Sequence, residues 1–425
     1  MNYSTGPVGL FRTAGSNSLI RDLSITGTAI LSNDTSSAAY VAGIVGVAHG
    51  TFTITNCNNK VTTKIENSSH GAGGLIGGTA TDAIINMDKC SNQGVISSSE
   101  NAGGLIGYKA TGGSVTINSS NNEGTVNGAN ATGGILGYIN KSTSITITDC
   151  YNNGEVTNTG TKGTGGIVGF EDTDGTLTIT RCNNTKKITG SSNVGGIIGY
   201  STAGCTVENN SNNADIESTT ESGTSGMTGG IAGRNGGTIK KSYNDGSISS
   251  KKNCTGGIAG SNPGVIELCF NNGIINTTGS SGTGGITGYQ NYSTARTSNC
   301  YNMKTINGKG DIGGIVGNNG TGTVENSYNT GVINGTAQVG SIVGRNQAAG
   351  QITKSYYLNS LTTPLYGLNS GNVDALSSAL SQADMTSTDK TKFVDLLNSG
   401  QTEEVWQLDT NINQGYPILK WQTEQ

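Results

Sequence analysis

The chain reads as an all-β protein: a parallel β-solenoid (β-helix) of about eleven to twelve coils of ~30 residues, with a small α+β cap at its C-terminus. Three observations predict this. A Gly-Gly-x-x-Gly element recurs eleven times, counting single-residue variants, at intervals of 27 to 34 residues. Short β-branched runs alternate apolar and hydroxyl residues. Glycine supplies 69 of 425 residues, so few windows could persist as helix.

The first glycine of the element falls at Gly73, Gly103, Gly133, Gly165, Gly195, Gly229, Gly256, Gly284, Gly313 and Gly340, after an Ala42 variant. A fixed period of this size marks stacked repeats. The closing glycine is present in every copy from Gly46 to Gly344, with an apolar residue such as Ile44, Leu75 or Ile167 between. Each interior glycine would cost a helix roughly 1 kcal/mol relative to alanine. The runs TFTIT (51–55), SITIT (144–148) and TLTIT (176–180) have the period-two pattern of half-buried strands. About three such runs per repeat, separated by Gly/Asn turns, make one coil that stacks on its own copy one repeat later.

Other residue types also recur in columns. Cys57, Cys90, Cys150, Cys182, Cys269 and Cys300 share one repeat position, which Ser119, Asn210, Ser242, Ser327 and Ser355 take in other coils. Small polar substitutes at a single site point to a buried column of free thiols. A metal site would need close pairs such as C-x-x-C, and none occurs. Cys205 and Cys254 lie off the column. Two positions later stand Asn59, Asn92, Asn121, Asn152, Asn184, Asn212, Asn244, Asn271, Asn302 and Asn329. Stacked asparagines bond amide to amide, so a structural ladder accounts for them.

The aromatics are sorted as well. Tyr108, Tyr138, Phe170 and Tyr200 follow the closing glycine in successive coils, with Tyr289 later. Tyr243, Phe270, Tyr301, Tyr328 and Tyr356 follow the Cys column, with Tyr151 earlier. Corner packing over glycine-rich turns explains both columns. The functional alternative is an exposed strip on which sugar rings lie, and its candidate ligand-binding residues are Tyr108, Tyr138, Phe170, Tyr200, Tyr243, Phe270, Tyr301 and Tyr328.

Along the chain, 1–360 reads as solenoid, with 1–41 an irregular first coil carrying Val8-Gly9-Leu10-Phe11. Residues 361–425 abandon the repeat. Residues 373–383 and 390–398 have helical spacing, and both tryptophans, Trp406 and Trp421, lie here. A solenoid's open end exposes strand edges, so this segment is expected to cover it.

Composition excludes several classes. Charged residues are 12% and apolar residues 32%, unlike the charge-rich chains that stay disordered. A net charge of −4 without a basic, aromatic-studded face argues against nucleic acid. No apolar run approaches the ~20 residues of a membrane span. The start shows no signal-peptide pattern and opens inside a repeat, as a piece of a longer protein would. Glycoside hydrolysis needs two facing carboxylates. The densest acidic group is Glu171, Asp172 and Asp174, on an expected loop. His49 and His70 are the only histidines, and HExxH is absent. The Gly308–Asp311 stretch is a lone match to calcium-binding repeats. No catalytic residue, metal or cofactor is therefore assigned.

The GGLIG/GGIVG element followed by x-I-T-x-C-Y-N-x-G resembles the GLUG repeat, over about residues 6–360. That family occurs in large bacterial surface proteins, among them adhesin-like proteins and non-catalytic regions of some immunoglobulin A peptidases. The ending around Trp406 and Asn413 to Leu419 resembles the segment that follows such repeats in gut-bacterial proteins. Ala42 and Ser341 depart from the repeat pattern. The resemblance implies a secreted or wall-associated, non-enzymatic adhesin or stalk segment. Its partner would be a host or microbial surface glycan or protein, with no nucleic acid and no membrane insertion. A carbohydrate-binding module using the aromatic columns is the alternative, followed by a polysaccharide-degrading β-helix enzyme.

Overall fold

The runs Thr51–Thr55, Ile84–Asp88, Ser114–Asn118 and Ser144–Thr148 lie parallel and in register, each paired with its copy one repeat later. Their alternation sets their burial. Phe52, Ile54, Ile85, Met87, Val115 and Ile117 point inward, and the residues between them face out or lie half-buried. The same stacking on every side gives a parallel β-solenoid of about eleven turns, as the computed structural model shows. The structure describes residues 2–3, 6–31, 40–65, 70–141, 144–172, 175–219, 226–279 and 282–424.

The coils build four long sheets of 23, 13, 13 and 11 strands. One turn runs Ser91–Asn92, Ile96–Ser98, Asn101–Gly103, Ile106–Lys109 and Ser114–Asn118. That is five short strands where the apolar pattern predicts about three. Coil-to-coil pairing uses only backbone groups, so Asn-Asn and Gly-Gly segments pair without an apolar run of their own. Isoleucine, leucine and valine columns fill two cores, one around Leu75, Ile106 and Ile147 and one around Val126, Val156 and Ile188.

The asparagine column is continuous. Ten fully buried asparagines run from Asn59 to Asn329. Each of the first nine donates its amide to the next side-chain carbonyl at 2.7–2.9 Å. Each also donates to the backbone carbonyl two residues ahead, as Asn152 does to Gly154 at 2.8 Å. The third member is Asn122, not the expected Asn121. Ser119 holds the left-handed turn position (φ 45°) that Lys89 and Asp149 hold in neighbouring coils. Ser120 therefore takes the cysteine position, where its hydroxyl accepts the Cys90 N–H at 3.0 Å. Asn121 points outward to Glu123.

This ladder also explains the double glycine. A Cβ on Gly104 would collide with the Gly134 carbonyl and the Asn122 amide. Ser341 is tolerated because the ladder has ended there: the rung after Asn329 holds Tyr357.

The C-terminal segment corrects two expectations. Tyr366–Asn369, Asn372–Val373 and Ser378–Leu380 pair with the preceding coil, so the solenoid runs past 360. Helix is confined to Gln382–Met385, Val394–Asn398 and short 3₁₀ turns. Beyond Ser381 the chain does not cover the open end, where Leu368 and Leu376 stay exposed. It folds back along the flank and buries Met385, Phe393, Leu397, Trp406 and Trp421 against Tyr301, Tyr328 and Tyr356. The stacked tyrosines offer this arm a wide apolar surface that the coil end lacks. Trp406 Nε1 donates to Asn299 at 3.2 Å and Trp421 Nε1 to the Leu268 carbonyl at 3.0 Å, which locks the arm to earlier coils.

Candidate ligand-binding trough

Tyr108, Tyr138, Phe170 and Tyr200 stack one per rung, with centroids 5.3, 5.7 and 4.6 Å apart and planes within 16°. Tyr40 leans over Gly78 and lies 5.9 Å from Tyr108. The Arg234 guanidinium covers the other end, 4.8 Å from the Tyr200 centroid. The ring faces are thus taken by other rings or by a cation, and only edges and hydroxyls reach outward. The Tyr138 hydroxyl donates to Asp172 at 2.8 Å, and Asn140 donates to the Tyr108 oxygen at 3.1 Å. Sugars stack on ring faces, so this column packs a corner and offers no platform. Tyr289 shares the column but is cut off from Tyr200 by Arg234 and Ser261.

The second column differs. Tyr243, Phe270, Tyr301 and Tyr328 stack at 4.9, 5.0 and 5.2 Å with planes within 6°. Tyr301 and Tyr328 are buried by the arm, which removes them from any exposed strip. The Tyr301 hydroxyl donates to Gln422 at 3.2 Å, and Tyr328 donates to the Pro417 carbonyl while accepting from Asn413. Burial pushes both hydroxyls above the usual tyrosine range. Tyr243 and Phe270 emerge half-buried. The next two rungs hold only Ser211 and Asn183, and then Tyr151, which is 45% exposed. The outer face of Tyr243 therefore has no ring against it.

Trp421 lies 6.1 Å from Phe270 and divides the flank into two clefts. The first, about 480 Å³, lies between Tyr243, Phe270 and the arm, with Asp245, Asn272 and Lys304 among its lining. The second, about 540 Å³, runs from Tyr151 over Asn183 and Ser211 to Trp421, beside Arg181, Lys241 and Glu424. Tyr151 to Phe270 spans four rungs, so the trough that the two clefts make together runs about 19 Å at strand spacing.

Its charges are individually arranged. Partial burial raises the Asp245 carboxyl, opposed by the Asn272 amide and the Lys304 charge. Arg181 grips Asp149 through two bonds of 2.7 and 2.9 Å and lowers its pKa. On the arm wall Asn413 and Gln414 both take left-handed backbone, φ 54° and 55°. Non-glycine residues held this way cost about 1–3 kcal/mol each and cluster at ligand clamps.

The expected acidic group separates. Glu171 faces the core and Asp172 faces solvent, while Asp174 lies outside the described residues. Glu171 accepts the Thr202 N–H at 2.9 Å, and burial pushes its carboxyl up to about 7. Among the described residues no three His, Cys, Asp or Glu gather as a metal set.

Two features escaped the sequence pattern. One is the two-rung gap between Tyr151 and Tyr243, which shows in the sequence only as an interrupted aromatic column. The other is a second buried amide column, including Asn235–Asn262, Gln290–Asn319, Asn319–Asn346 and Asn346–Asn369 bonds of 2.8–2.9 Å. Its signal is an amide two positions after the closing glycine.

No family model and no curated protein matches this chain. Among solved structures it is similar to a Bacteroides ovatus protein bearing the name of a candidate immunoglobulin A1 protease. The two are 17% identical over 87% of this chain and 86% of that one, with a TM-score of 0.26. A likeness at that score carries no inference to fold or activity.

Proposed function

We propose that this chain is a non-enzymatic, secreted or cell-surface repeat protein, an adhesin segment, that holds a surface glycan in the flank trough. The face of Tyr243 that no other ring covers, in the wall of the first cleft, carries this reading. Around it in the first cleft are amides and single charges, Asn272, Gln414, Asp245 and Lys304, and the next rung holds Ser211. A ring face beside convergent planar amides is how sugars are gripped, because the ring takes the C–H face and the amides take the hydroxyls. The resemblance of the repeat to GLUG sequences supports the surface setting. Cleavage is disfavoured because Asp245 has Lys304 and Asn272 beside it, where glycoside hydrolysis needs a second carboxylate.

The test is a glycan array probed with the wild-type chain, Tyr243→Ala and Asp245→Asn. Tyr243 is half-buried and Asp245 exposed, and the coil pairing beside them is made by backbone groups. Retention of a set of related glycans by the wild type, lost in Tyr243→Ala, is expected. Equal retention by Tyr243→Ala, or none by the wild type, would overturn the reading.

A further inference from the structure

The cysteine column carries a pattern independent of the trough. In coil order it reads Cys57, Cys90, Ser120, Cys150, Cys182, Asn210, Ser242, Cys269, Cys300, Ser327, Ser355. The six cysteines fall as three doublets on consecutive rungs, with no single and no run of three. A column that only needed a small side chain would have no reason to sort them this way.

All six thiols are buried, none more than 1% exposed. Each donates to the carbonyl two residues back, at 3.1–3.4 Å, so all six point the same way along the stack. Neighbouring rungs of a sheet lie about 4.8 Å apart, which places paired Cα atoms inside the ~4.4–6.8 Å window of a disulfide; the Cβ atoms, pointing alike, are about as far apart, so closure must draw them together to within ~4.5 Å. The neighbouring Cys57 thiol, with burial, pushes the Cys90 thiol well above its usual range. Burial, then contact with Cys150 and Cys300 respectively, raises Cys182 and Cys269. In the structure all eight cysteines are free. Sharing one column, which argues against pairing within a coil, is what brings partners together between coils.

We propose that the doublets are three disulfide sites, Cys57–Cys90, Cys150–Cys182 and Cys269–Cys300, that close between successive coils when the chain folds in an oxidising compartment. The oxidant is a low-molecular-weight disulfide or a disulfide-bearing protein. One cysteine, as thiolate, attacks a sulfur of the oxidant and expels one thiol, leaving a mixed disulfide. Its partner then attacks that bond and expels the second thiol. One protein S–S bond forms, the oxidant's S–S bond breaks, and the two electrons and two protons end on the two released thiols. Since the native thiols are buried, exchange takes place while coils are still closing. Closure also requires one Sγ to turn from its carbonyl toward its neighbour. The Ser and Asn rungs isolate the doublets, so each cysteine has one partner and one of fifteen possible pairings is selected. Each bond would staple one coil to the next and arrest unwinding from either end.

The test refolds the full chain from urea in a reduced/oxidised glutathione buffer, blocks remaining thiols with an alkylating reagent, and maps peptides without reduction. Two alkylated cysteines in place of eight are expected, Cys205 and Cys254, with the three named cross-links. A Cys150→Ser chain should lose only the Cys150–Cys182 link. The same map on native protein held in subdenaturing urea with oxidised glutathione covers a chain that refolds poorly. Eight alkylated cysteines in both formats, or scrambled pairings, would overturn the proposal.

Discussion

Asn152→Ala removes one rung from the middle of the asparagine ladder. Asn152 donates to Asn184 and to the Gly154 carbonyl, both at 2.8 Å, and accepts from Asn122 at 2.8 Å. It is fully buried. Alanine would strand the Asn184 carbonyl, the Gly154 carbonyl and one N–H of Asn122. Asn122 keeps its bond to the Gly124 carbonyl, so its loss is partial. An orphaned buried polar group costs about 1–3 kcal/mol, so the substitution should cost about 3–5 kcal/mol with the small cavity added. Repeat stability is carried by nearest-neighbour interfaces, so the loss should appear first as local opening around Cys150–Lys186. The assay is urea unfolding followed by circular dichroism, with amide hydrogen exchange to place the opening. The matched control is Asn153→Ala. Asn153 is exposed and accepts only from the Thr185 hydroxyl, at 2.7 Å. It should cost under about 0.5 kcal/mol. If the two substitutions cost the same, the ladder does not hold the coils together as argued.

Glu171 gives a pH signature. Its folded pKa is raised from 4.5 to about 7 by burial, so its contribution is full below about pH 4.5 and is lost as pH rises through 7. The urea midpoint should fall between pH 5 and 8, by up to roughly 3 kcal/mol in stability, and Glu171→Gln should flatten that slope. Gly104→Ala should fail to give soluble folded chain, whereas Ser341→Gly should stay folded with a change under about 1 kcal/mol; expression and melting curves distinguish them. Deleting 381–425 should uncover Tyr301, Tyr328 and Tyr356, raising binding of a hydrophobic dye and promoting association in light scattering. An unchanged, monomeric truncated chain would show that the arm does not shield that column.

The fold was readable because its periodicity is written in residues that cannot be exchanged. The second glycine of each element and the buried asparagine contact each other in space, so they recur together from Gly43 and Asn59 to Gly314 and Asn329 and are lost together at Ser341 and Tyr357. Where two identical residues adjoin, the register blurred: Ser119-Ser120 and Asn121-Asn122 fit the column equally well by type, and only the left-handed turn at Ser119 separates them. The arm's apolar content was visible in Phe393, Trp406 and Trp421. Its destination was not, because the tyrosine flank exists only once five coils are stacked. The candidate site divided for the same reason. Tyr108, Tyr138, Phe170 and Tyr200 look like Tyr243 and Phe270 in sequence. They differ in what closes the ends of each stack, Tyr40 and Arg234 in one case and an open gap at Ser211 and Asn183 in the other.

Glycan binding in that trough is tested most directly by calorimetric titration with a length series of one linear oligosaccharide drawn from the array hits. The two clefts together run about 19 Å, so affinity should rise with chain length until the sugar spans Tyr151 to Phe270 and then level off. Tyr243→Ala should abolish the rise, with at least a tenfold loss for the longest chain, about 1.4 kcal/mol. Affinity independent of length, or a length dependence unchanged in Tyr243→Ala, would contradict it.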